Sequence, residues 1–169
     1  MRPEPGQVLH FSEDPSITRF VPLEKYVWAV GFARSPDYWF PRQCPRAMAW
    51  VTSDSSAEDR ERIIGPGCGG RVHAVEYGWL ERMRTVSLYA YRLPADVFGQ
   101  LGDNAHVAVE PVVPLGPPER VGDLFALHEE AGISLRVLPN LWPFWDAVTE
   151  TSLGWSGIRL RNALARSVE

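Results

Sequence analysis

Apolar positions fall in short runs at the front of the chain and in wider-spaced stripes toward its end. Val8 to Phe11 reads as a first strand. Asp14-Pro15-Ser16 predicts a turn into a short helix reaching Phe20. Tyr26 to Val30 is an unbroken run of β-forming residues, the mark of a buried strand. Arg34 to Arg46 is cut by Pro36, Pro41 and Pro45 and reads as loop or short helix, and Ala47 to Thr52 as another strand. Ser55 and Glu58 have the spacing of a capping box and predict a helix to about Ile64, which the stretch from Gly65 to Gly70 ends. Trp79 to Met83 reads as a helical turn. From Val86 to Leu93, Val86, Leu88 and Ala90 share one face and Ser87, Tyr89 and Tyr91 the other, as in a half-buried strand. Pro94 suits the first turn of a short helix to Phe98.

The second half is read the same way. His106 to Val113 predicts a strand pair or a bent strand. Side chains alternate across a strand, so Val107 and Val109 form the core face, and Ala108 and Glu110 the other. Val121 to Ala131 is an amphipathic helix with Gly132 as its stop. Ile133 to Leu138 is a strand, and Pro143 to Thr149 and Ser156 to Arg166 are closing helices. Strands dominate the front and helices gather at the back, so the fold class is α+β rather than a βαβ series. With no internal repeat, one domain over residues 1–169 is expected.

Composition narrows the classes. Hydrophobic residues make up 45% and Trp occurs 7 times, which argues for a packed core and against a disordered chain. A chain of 169 residues buries roughly 70% of its unfolded surface without metal or disulfide. The net charge of -4 gives no general attraction to nucleic acid or an anionic membrane. Two cysteines, Cys44 and Cys68, are not a disulfide framework. No leader pattern and no apolar run of membrane-spanning length occurs, so a cytoplasmic protein is expected.

Several strings carry candidate chemistry. Gly65 to Gly70 matches GxGxxG by letters, but a helix precedes it and a strand follows, the reverse of a dinucleotide fingerprint. Cys68 and His73 lack further ligands at zinc spacing, so no metal is expected. In Pro41-Arg42-Gln43-Cys44-Pro45-Arg46 two prolines stiffen a loop. Arg42 and Arg46 are then placed either to grip a phosphate or as solvated surface charges. Flanking arginines would lower the Cys44 thiol and make it reactive; the alternative is a buried structural Cys. The aromatic string from Leu141 to Trp145, with Trp155, reads as core.

His10-Phe11-Ser12 and the run from Trp28 to Tyr38 together resemble the nicotinamide pocket of ADP-ribosyltransferases of the poly(ADP-ribose) polymerase type. That family carries His-x-Ser or His-x-Thr on its first strand. An aromatic-Ala pair follows on its second strand, then a helix with Ser-x-x-Tyr. The resemblance implies a split sheet of short strands with helices, and NAD as substrate or ligand. By it, His10 bonds the ribose, Ser12 and Ser35 position the amide, and Tyr38 stacks on the nicotinamide ring. Arg42 and Arg46 would lie at the rim where the diphosphate extends. Val27 stands where the family has Tyr, and its catalytic Glu belongs near Ala105 or His106. Glu110 lies several residues later and is the one carboxylate on that strand, so it is the catalytic candidate. The chain is also similar to uncharacterised bacterial proteins sharing the His-x-Ser-Glu, Pro-Arg-x-Cys-Pro-Arg, Asn-Leu-Trp and Trp-Ser strings.

The leading expectation is an ADP-ribosyltransferase-like domain that binds NAD or a related nucleotide and transfers ADP-ribose. The alternative is a non-catalytic module of the same fold that binds a nucleotide or a protein partner. A third reading is a thiol enzyme centred on Cys44. Nucleic acid and membrane are not expected partners.

Overall fold

The computed structural model describes residues 1–102 and 105–166. Along the chain run β1 (Gln7–Ser12), β2 (Val27–Ala29), a 3-10 turn (Ser35–Tyr38), β3 (Arg46–Trp50), and α1 (Ala57–Asp59) continuing as a π-helical turn (Arg60–Ile64). Then come β4 (Arg71–Glu76), a 3-10 turn (Tyr77–Trp79), α2 (Leu80–Thr85), β5 (Tyr89–Pro94), a 3-10 turn (Ala95–Val97), β6 (Gly99–Leu101), β7 (Ala105–Ala108) and β8 (Glu119–Arg120). The chain closes with α3 (Leu124–Glu130), β9 (Ser134–Leu138), α4 (Trp142–Thr149), β10 (Gly154–Ile158) and a 3-10 turn (Leu160–Asn162). The class is α+β, and among the described residues no helix is long and apolar enough to cross a membrane. Contacts divide the chain into two compact units, each drawn from two stretches: Met1–Arg42 with Val86–Asp123, and Gln43–Thr85 with Leu124–Glu169.

The first unit holds two three-stranded sheets, ordered β1-β5-β8 and β2-β7-β6, with all pairs antiparallel. A bridge between Leu9 and Val30 links them, each residue donating its N–H to the other's carbonyl at 2.9 and 2.8 Å. Val8, Val27, Ala29, Tyr91, Leu93 and Ala108 form the core with Phe20 and Val112. The segment expected to be a helix up to Phe20 is instead a turn at Pro15–Ser16 and an extended pairing. Phe20 and Val112 exchange both backbone bonds, at 2.8 and 2.9 Å, which satisfies them without a helix. Tyr91, placed by alternation on the polar face, is fully buried. Its hydroxyl donates to the Asp14 carbonyl at 2.7 Å and accepts from the Ile17 N–H at 3.0 Å, so the phenol loses nothing by leaving water.

The second unit is one sheet ordered β10-β3-β4-β9, with β4 and β9 parallel and the other pairs antiparallel. Ala47, Ala49, Val72 and Ala74 pack one face against Ile63, Ile64, Leu141, Phe144 and Val148. The capping residue of α1 is Ser56 rather than Ser55; its hydroxyl accepts from Asp59 N–H at 3.1 Å. Gly65, at φ 78°, ends the π-helical turn in a conformation that disfavours side chains. Ser156 to Arg166 is not an α-helix: its first three residues finish β10, paired to β3, and Leu160–Asn162 form a 3-10 turn. Gly157 is the reason this stretch can lie flat, since a Cβ there would come within 2.7 Å of the Trp145 ring.

Candidate functional site

Antiparallel pairing in the first unit builds one row of side chains across its strands. His10 on β1 lies opposite Tyr91 on β5. Extending the Leu9–Val30 bridge by one residue sets His10 beside Ala29 on β2. Ala29 in turn lies opposite His106 on β7, and His106 opposite Gln100 on β6. Cross-strand neighbours project to the same face, so Tyr91, His10, Ala29, His106 and Gln100 share one face. The two imidazoles straddle β2.

The His10 ring is held from below. Its Nδ1 lies 2.7 Å from the Trp28 carbonyl, and its ring packs on Phe20 with centroids 4.6 Å apart. A carbonyl only accepts, so Nδ1 carries the proton and Nε2 is left as an acceptor. Burial pushes the His10 pKa down to about 4; the Trp28 carbonyl opposes this and the Arg42 charge adds to it. The imidazole is therefore neutral throughout the physiological range, presenting a fixed acceptor. Facing it, Arg42 Nη1 lies 3.4 Å from Nε2 and donates to the Phe11 carbonyl at 3.3 Å. Arg42 is exposed, and both contacts are long, so its guanidinium can leave them at little cost. Its backbone is fixed instead: Arg42 N–H donates to Glu13 at 2.8 Å.

The other expected residues are arranged differently. Ser12 is buried, and its hydroxyl accepts from Asp14 N–H at 3.1 Å, closing the turn after β1. Ser35 is buried and donates to the Gly31 carbonyl at 2.9 Å. Tyr38 lies parallel to Phe11, with ring centroids 6.3 Å apart and planes 8° apart. Successive side chains on a strand point to opposite faces, so Tyr38 packs on the Phe11 side of β1 and His10 on the other. The structure brings His10 and Arg42 together and sets Tyr38 apart from them. Arg46 belongs to the second unit, where it is 2% exposed on β3 and donates to the Cys44 carbonyl at 2.9 Å.

Glu110 does not sit on the strand. β7 ends at Ala108, and a bend follows at Val109 and Glu110, with Glu110 exposed. The expected core face is reversed. Ala108 is buried opposite Val27, while Val109 is 64% exposed. Phase was set by pairing with β2, which left the larger valine outside. Cys44 is fully buried, its thiol pushed up to about 12 by burial against the pull of Arg46, which holds it in the neutral form. Among the described residues no group of three or more His, Cys, Asp or Glu is placed to hold a metal.

His106 is the residue the sequence reading passed over. A Cβ on Gly31 would lie 2.9 Å from its Nε2, so the ring rests over the backbone of Gly31. No motif announces that contact; strand register alone creates it.

The protein is of the α+β class, and its first unit, built of strands, sets an imidazole acceptor beside an arginine. The chain belongs to a family of unknown function (DUF6886), whose model matches residues 9–163. No curated protein and no solved structure matches it.

Proposed function

We propose that this protein binds a nucleotide, NAD or a relative of it, at the His10–Arg42 corner, as a binding module rather than a transferase. The observation that carries this reading is the fixed tautomer of His10. Its Nε2 is an acceptor suited to a ribose hydroxyl, and the Arg42 guanidinium beside it suits a phosphate. The resemblance to ADP-ribosyltransferases makes NAD the first ligand to try, through His10 alone, since Tyr38 packs on the opposite face of β1 and Ser12 and Ser35 are buried against backbone. Binding is preferred to transfer because Glu110 stands exposed in a bend after β7 and makes no hydrogen bond or ion pair among the described residues.

The test is calorimetric titration of the full chain with NAD and ADP-ribose. A charge-assisted bond to phosphate contributes roughly 1.5–3 kcal/mol, so Arg42→Ala weakens affinity by about tenfold or more. Unchanged affinity in that variant removes Arg42 from the site. NAD turnover by the wild type that collapses in Glu110→Gln overturns the binding-module reading in favour of an enzyme.

A further inference from the structure

We propose that His73 and His128 form an acid-released latch between β4 and α3, holding the helix on the sheet only while both rings are neutral. The latch lies within the second unit and is independent of the His10–Arg42 corner. His73 stands on β4 and His128 on α3, both buried, with ring centroids 5.1 Å apart and planes at 82°. Their tautomers are fixed from both ends. On the sheet, Arg71 Nε–H donates to His73 Nε2 at 3.0 Å, and a guanidinium only donates. His73 therefore carries its proton on Nδ1, which lies 3.0 Å from His128 Nε2. On the helix, the Leu124 carbonyl only accepts, so His128 Nδ1 donates to it at 2.6 Å and leaves Nε2 to receive His73. The two ends agree on one direction of donation.

A further proton has no place in this arrangement. On His73 it enters at Nε2, against Arg71 Nε–H; on His128 it enters at Nε2, against His73 Nδ1–H. Either sets two donors face to face and puts an imidazolium in a buried site. The surrounding elements of the second unit supply no counter-charge there. Met48 on β3 and Leu135 on β9 lie opposite His73. By strand alternation that face of the sheet carries two cations, Arg71 and Arg46, while Glu76 and Arg136 belong to the other face. The carboxylates nearest in sequence, Asp123 and Glu129 and Glu130 of α3, are exposed. On α2, which packs against α3, Glu81, Arg82 and Arg84 are exposed as well. Docked, the two rings refuse protons that each accepts near pH 6.5 once released into water. The helix is the part that gives way, because His128 and Leu124 are its only buried residues.

The sign follows from proton uptake. The released state binds two protons that the docked state does not, so the latch holds fully above about pH 6.5 and weakens as pH falls. The released population climbs toward about a hundredfold per pH unit, tenfold for each ring. The experiment is amide hydrogen exchange of the full chain from about pH 7.5 to about pH 5, corrected for intrinsic rates, with long-range proton–nitrogen spectra of the histidine rings. Ala131 and Ile133 report on α3, since their N–H groups donate to the Leu127 and His128 carbonyls at 3.1 and 2.9 Å. Trp145, whose N–H donates to the Leu141 carbonyl at 3.0 Å, reports on α4. In the wild type, protection at Ala131 and Ile133 is expected to fall by more than tenfold per unit below about pH 6 while that at Trp145 holds. His73→Leu/His128→Leu, with nothing to protonate, is expected to show level protection of α3 across the same range. If that variant does not fold, the wild-type data decide alone. Level protection of α3 in the wild type down to about pH 5 overturns the latch. So do ring spectra showing a charged imidazole while α3 stays protected, and so does equal loss at Trp145, which means that the whole unit unfolds together.

Discussion

The four histidines divide evenly between the two units, and the units treat them in opposite ways. In the second unit His73 and His128 are completely buried and form a closed relay. The Leu124 carbonyl accepts from His128 Nδ1 at 2.6 Å, so His128 Nε2 is an acceptor. It receives the proton of His73 Nδ1 at 3.0 Å, and His73 Nε2 in turn receives Arg71 Nε–H at 3.0 Å. Every ring nitrogen is used, in one consistent direction. In the first unit His10 has one nitrogen tied and the other facing Arg42, and His106 makes no ring hydrogen bond among the described residues. Burial alone therefore does not mark a site. What separates a structural imidazole from a candidate binding one is whether its donors and acceptors are closed by the protein itself.

The largest effect comes from breaking the closed relay. His128→Leu removes the acceptor for His73 Nδ1–H and leaves that donor buried and unsatisfied. A stability loss of about 2–3 kcal/mol in urea denaturation is expected. The double variant His73→Leu/His128→Leu costs less than the sum of the two single changes, since removing both partners orphans nothing between them. Additive losses would show that the two rings do not act as a pair. By contrast, Arg42→Ala in the first unit changes stability by less than about 0.5 kcal/mol, as expected of an exposed side chain with two long contacts.

Cys44 extends the comparison to reactivity. Its thiol donates to the Pro45 carbonyl at 3.5 Å and is shielded from solvent. In native protein at neutral pH it should resist thiol reagents that label Cys68, which is partly exposed. Unfolding in urea should bring both to similar rates. Equal labelling in the native state would show that the second unit opens around β3.

Much of the fold could be read from local pattern. β1, β2, β3, β9 and α4 fall where alternation and helical spacing place them. The failures share one cause: pairing partners that the local pattern does not reveal. β10 reaches into the stretch from Ser156 that was expected to be a helix, and pairing along the edge of β3 decides for a strand. Tyr91 was assigned to water because its hydroxyl partners lie 74 and 77 residues away. Val109 and Ala108 exchanged faces because β2 set the register. In the candidate site His10 and Arg42 were legible as residue types on a strand and a stiffened loop. His106 was not, because its place beside Gly31 follows from strands 75 residues apart in sequence.

The smallest effect concerns acid. His10 has a folded pKa of about 4, against 6.5 for an unperturbed histidine. Between those values the unfolded chain takes up a proton that the folded one refuses, so folding is penalised as pH falls. The stability held by a neutral His10 is full above pH 6.5, declines as pH drops toward 4, and is gone below that. His10→Asn keeps a polar side chain and removes the titration, so its stability profile should fall less steeply than wild type across that window. The same shift separates binding from an ordinary histidine contact. If Nε2 accepts from the ligand, ADP-ribose affinity should hold from pH 8 down to about 5 and fail only as the ring protonates. A midpoint near 6.5 would mean that the imidazole is less enclosed than its contacts with Phe20 and Trp28 require, and would reopen the tautomer on which the acceptor role depends.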